Sequence, residues 1–202
     1  EKKYSSLKLE NLFFQKLQMG GVTPGEVAVL LKGTQYLILY TPLHLQLALE
    51  LAPLQLSGES ARPLIAYFEE HLQEEQGHDK WAEADLAFMK ENFGLKNKEV
   101  PLSMKNLVAF VENTLVKDVR LYLPYILFAE YFAVVAVPES AQLLVEKCQI
   151  PAEAVSVFTK HALLDIEHAR EDVHLIDLVA RQDPFFAEKC EQVILSDRKS
   201  VV

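Results

Sequence analysis

The chain has 202 residues, half of them hydrophobic, which is enough for one well-buried domain and too apolar for disorder. A formal net charge of -9 and a pI near 5.2 give an acidic surface that repels phosphate backbones, so nucleic acid is excluded as a partner class. Seven glycines among many Leu, Ala, Glu and Lys argue against an all-β fold, and two cysteines, Cys148 and Cys190, are too few and too far apart for a disulfide scaffold or a zinc knuckle. A reducing, cytoplasmic setting is expected, and the opening Glu-Lys-Lys-Tyr carries no signal of export.

In chain order, a first helix is expected over Leu7 to Met19, ended by Gly20-Gly21. Thr23-Pro24 restarts the chain as an N-cap followed by proline, opening a long second helix to about Leu51, bent near Thr41-Pro42 and closed by Pro53 and Ser57-Gly58. A third helix is predicted from Ser60 to Asn92, ending at Phe93-Gly94, with Ser103 as the next N-cap. Helices follow over Met104 to Val116, Leu121 to Val137, Glu139 to Cys148 and Ala152 to Arg181, and a last one after Asp183-Pro184. The apolar run Leu121 to Val137 contains Pro124 and Glu130 and falls short of the roughly 20 residues of a membrane span, so it reads as a buried core helix and no membrane insertion is expected. With no linker or repeat, residues 1–202 read as a single all-α domain, a helical bundle.

The chemistry gathers on three helices. His71, Glu74, Glu75 and His78 project within a sector of roughly 100° on the predicted third helix, and Glu75 with His78 makes the Glu-x-x-His spacing that lets a carboxylate and an imidazole reach one metal. His161, Asp165 and His168 stack along the late long helix at spacings of four and three, with Asp172 a turn further. Leu163, Leu164, Ile166 and Val173 lie among them, so this stripe is not on an all-polar helix. Glu130 is the sole charged side chain between Leu121 and Pro138, and a buried carboxylate needs a partner, either a base from another helix or a metal. Glu75, His78, Glu130, His161, Asp165 and His168 together offer the oxygen and nitrogen donors of a two-metal site, without thiolate. His174 and Glu167 point elsewhere and read as surface residues.

On these residues the chain resembles the haem-oxygenase-like di-iron oxidases and oxygenases, relatives of thiaminase II and of the pyrroloquinoline quinone synthase. The resemblance rests on Glu-Glu-x-Gly-His at Glu74 to His78, the isolated Glu130, and His161-x3-Asp165-x2-His168. It implies a haem-oxygenase-like bundle of about seven helices that binds two irons, or an iron-manganese pair, and activates dioxygen to oxidise a small amine, amino acid or fatty acid. A homodimer is a further expectation of the family. Where thiaminase II has Leu-Pro-Cys, this chain reads Leu123-Pro124-Tyr125, so the nucleophilic cysteine is missing. Some members take an early carboxylate ligand seven residues before the histidine, where this chain has His71, which leaves either Glu75 or His71 as the early ligand. Glu74 and His71 are candidates for proton transfer, and His44, Tyr40 and Tyr125 for substrate contacts beside the metals. The alternative reading is a metal-free, thiaminase-II-like binding or regulatory protein, with basic partners close to Glu130 and Asp165.

Overall fold

A computed structural model of the protein describes residues 11–200, the side chains of 196–200 excepted, so the predicted start of the first helix at Leu7 lies outside the described residues. Among the described residues every regular element is helical. Helix α1 spans Leu12–Gln18, α2 Pro24–Gln55, α3 Ala61–Glu74, α4 Asp79–Phe93, α5 Leu102–Lys117, α6 Tyr122–Val135, α7 Val137–Glu146, α8 Ser156–Gln182 and α9 Phe186–Ser200. Short 3-10 turns at Val119–Leu121 and Ala152–Val155 lead into α6 and α8.

Helix α2 begins as the sequence predicts. The Thr23 side chain accepts from the Glu26 amide while Glu26 reaches back to the Thr23 amide, a reciprocal cap with Pro24 at the first position. The helix then runs through Pro42 and Pro53 to Gln55, beyond the predicted end at Leu51, each proline costing it one amide donor without ending it. At 32 residues, α2 is long and apolar enough to cross a membrane, but Leu31, Leu45, Ala48 and Ala52 on it are wholly buried in the protein.

Three expectations are corrected. The predicted third helix from Ser60 to Asn92 is two helices, broken at Glu75 to His78, because Gly77 takes a left-handed φ of 86° that ends helical hydrogen bonding. Ser103 lies inside α5, whose first turn is closed by the Met104 amide bonding to the Pro101 carbonyl. The segment read as a buried core helix exposes one face instead: in α6 Phe128, Tyr131, Phe132 and Val135 face outward while Glu130 is buried.

The interior has two apolar clusters. One gathers Leu45, Leu64, Phe68, Leu115, Leu123, Val179 and Phe186; the other gathers Leu17, Val27, Leu31, Met89, Leu144 and Ile150. The long elements pass from one cluster to the other. Helix α8 starts with Val157 in the second and ends with Leu175 and Val179 in the first, and the α3–α4 segment goes from Phe68 in the first to Ala82 and Met89 in the second. The His and carboxylate residues fall between these stretches, so the bundle has a polar waist between two greasy ends.

Candidate metal centre

Helix α3 carries His71 at its last turn, the Gly77 break carries Glu75 and His78, α6 carries Glu130, and α8 carries His161, Asp165 and His168. Packing of α6 and α4 against α8 brings these together as two sets. In the first, His71, Glu130 and His168 offer donor atoms that all lie within 4.8 Å of one another. The Glu130 Oε1 atom is 3.3 Å from His71 Nε2 and 3.6 Å from His168 Nδ1. In the second, Glu75, His78 and His161 meet the same 4.8 Å limit, with His78 Nδ1 3.3 Å from Glu75 Oε1. Asp165 stands between the sets, its Oδ1 3.5 Å from His161 Nδ1 and 3.9 Å from His168 Nδ1. The two residues left open as the early ligand fall in different sets, His71 in the first and Glu75 in the second.

The donors are buried and poorly satisfied. Among the described residues, His71 Nε2, His78 Nδ1, His161 Nε2, His168 Nδ1, Glu130 Oε2 and both oxygens of Asp172 have no hydrogen-bond partner. Their close approaches have ion-pair distances without hydrogen-bond direction, and among the described residues no Lys or Arg forms an ion pair with Glu75, Glu130, Asp165 or Asp172. Burial, reinforced by Asp172, Asp165 and Glu75, pushes the Glu130 carboxyl up to about 12. Burial raises Asp172 to about 6 and lowers His71 to about 4. For Glu75 burial acts upward, but contact with His78 and the nearby imidazoles of His71 and His161 bring the carboxyl below its ordinary value. Orphaned carboxylates and imidazoles inside a protein cost free energy that cations would offset, and a neutral imidazole is the form that ligates. The donor set fits two metal ions, with oxygen and nitrogen ligands suited to non-haem iron.

Supporting contacts surround the sets. Glu74 is half exposed and its Oε2 lies 3.1 Å from His168 Nε2, an arrangement in which Nε2 donates and Nδ1 keeps a lone pair facing Glu130. Trp81, the single tryptophan, stacks on His78 with ring centroids 4.1 Å apart and meets the edge of His161 at 5.4 Å. Sequence reading passed over Trp81, though its place three residues after His78 was the available signal. His44 is buried, packed against Tyr40, Tyr122 and Tyr125 at centroid distances of 5.9, 6.2 and 6.5 Å, so the three residues expected to contact substrate do come together. From Tyr122 the rings continue through Phe68 and Tyr67 to His71, 5.1 Å from Tyr67, which joins this aromatic wall to the first set. Neither cysteine enters a ligand set: Cys148 packs near the Leu17 carbonyl and Cys190 lies in an apolar cluster.

The apolar residues that lie among the stripe on α8 face outward. Leu163 is 76% exposed and Val173 55%, with Leu164 and Ile166 also exposed, while Asp165 and Asp172 are buried. Like α6, this helix buries carboxylates only along its middle, while Val157, Leu175 and Val179 bury apolar side chains toward its ends.

No protein-family model matches the chain, and no curated protein matches it. Among solved structures, a domain of unknown function with a heme oxygenase-like fold from Shewanella denitrificans OS217 is similar, with a TM-score of 0.75 and 16% identity over 98% of this chain and 86% of that one. The likeness concerns architecture, and with the all-helical arrangement above it shows that this chain has a heme oxygenase-like fold.

Proposed function

We propose that the protein is a non-haem di-iron oxidoreductase that activates dioxygen to oxidise a small organic substrate, an amine, amino acid or fatty acid. The observation that carries the reading is the pair of buried His/carboxylate sets, bridged by Asp165 and left without hydrogen-bond partners at the donor atoms. Bound irons, or an iron-manganese pair, would supply the dioxygen chemistry. The chain's own residues do the rest. His71, Glu130 and His168 would hold one ion, Glu75, His78 and His161 the other, and Asp165 both. Glu74 fixes the His168 ring and, half exposed, can pass a proton between solvent and Nε2. The wall formed by Tyr40, His44 and Tyr125 would contact the substrate and keep water away.

A metal-free binding protein on the same fold would need basic partners at Glu130 and Asp165, and among the described residues their ion-pair partners are histidines. The test is metal content after anaerobic reconstitution with ferrous iron, followed by absorption on oxygen exposure, with a His161→Ala, Asp165→Ala variant alongside. About two irons per chain, reduced in the variant, and a transient visible band support the reading. No stoichiometric metal in either protein overturns it.

A further inference from the structure

Among the described residues two buried acids lie outside the two ligand sets and Asp165: Asp85, which accepts from the Ser156 hydroxyl and the Val157 amide, and Asp172, which is left unexplained. Asp172, one turn after His168 on α8, is 0% exposed, and neither carboxylate oxygen has a hydrogen-bond partner. Its polar neighbours are Glu130 and Tyr67. The Tyr67 hydroxyl, on a side chain 3% exposed, is likewise without a partner. A buried carboxylate without a Lys or Arg partner and with no hydrogen bond of good geometry is costly to enclose, and a neutral residue of similar shape would serve packing better. Asp172 therefore reads as a residue whose compensation comes from something the chain encloses. The geometry says where. Asp172 adjoins Glu130, and Tyr67 packs its ring on His71 at 5.1 Å, so the pair touches two of the three members of the first ligand set and none of the second.

We propose that Asp172 and Tyr67 are a positioning pair for the first ligand set, holding Glu130 and His71 in place for a divalent cation and adding a fourth carboxylate to the centre. This rests on the two-metal reading above. With Asp172, the enclosed carboxylates Glu75, Glu130, Asp165 and Asp172 match in number the positive charges of two divalent ions. The pair acts through its neighbours: when a cation draws the Glu130 oxygens toward it, Asp172 limits where that side chain can turn, and the Tyr67 hydroxyl is placed to donate to Asp172.

Anaerobic titration of the metal-free protein with Co(II) tests this, because the visible bands of Co(II) report its ligand geometry. Wild type is expected to take two equivalents. Asp172→Asn should weaken one of the two by about 10–100-fold, with an altered visible band, and leave the other unchanged. Its metal-free thermal midpoint should stay equal or rise, since an uncompensated charge is gone. Tyr67→Phe should weaken the same equivalent by less, and it remains informative if Asp172→Asn does not fold. Wild-type affinities and bands in both variants would overturn the proposal, as would a loss of both equivalents together with a lowered metal-free midpoint. A wild type that takes no Co(II) would instead overturn the two-metal reading itself, and this proposal with it.

Discussion

The apolar ends and the polar waist follow opposite rules. At the end containing Leu45, Leu64 and Phe68, side chains fit a dry interior and stability comes from excluding water. At the waist, Glu130, Asp172 and His71 are also buried, yet Glu130 Oε2, both Asp172 oxygens and His71 Nε2 go without a hydrogen-bond partner among the described residues. The same helices build both regions, so the difference lies in residue choice along α3, α6 and α8. The apolar ends contribute burial that does not depend on a metal, and they offset the cost of the waist.

The contrast can be broken most severely at an end. Phe68→Ala removes a wholly buried ring and should destabilise by about 3–5 kcal/mol in urea unfolding. Glu130→Gln, at equal depth in the waist, should leave the metal-free protein no less stable while lowering its metal content. If both variants unfold alike, the two regions are not distinct. Next in size, Glu74→Ala frees the back of the His168 ring and should weaken metal binding by about 10–100-fold with little change in metal-free stability.

Histidine ionisation sharpens the comparison further. Burial lowers His44 from 6.5 to about 4, so the fold favours its neutral form. That contribution is fully present above pH 6.5 and is lost as pH falls toward 4, on the order of 2 kcal/mol over the window. His44→Leu should flatten this acid-side loss in unfolding measured between those limits, and an unchanged pH profile would mean that His44 does not carry it. The smallest effect is far from the waist: Thr23→Ala removes the α2 cap and should cost about 1 kcal/mol with metal binding unaffected.

Much of this was legible in the sequence. Helix breaks at Gly20-Gly21 and Gly94, the cap at Thr23, and the stripe from His161 to Asp172 follow from local chemistry and a single period. The donors converge because each lies on a helix, or at the Gly77 break between two helices, where the chain crosses the waist, and the spacing of four and three was enough to find those on α8. The break at Gly77 was not read, because an isolated glycine within a helical pattern is tolerated as often as it terminates one. What the sequence hid is how much apolar surface α6 and α8 leave outside, since Phe128, Tyr131, Leu163 and Val173 are exposed although ordinary burial preference would enclose such residues first. Glu130 and Asp165 reverse that preference. Asp172 continued the α8 stripe in plain view, but only its enclosure beside Tyr67 separates it from a solvated acid.

Trp81 gives the second ligand set an optical voice of its own. Because the chain holds a single indole, and that indole lies face to face with His78 and edge-on to His161, its emission arises beside one set and not from a mixture of sites. A transition metal arriving between Glu75, His78 and His161 would quench that fluorescence at short range, so the filling of this set can be followed in time without an added dye.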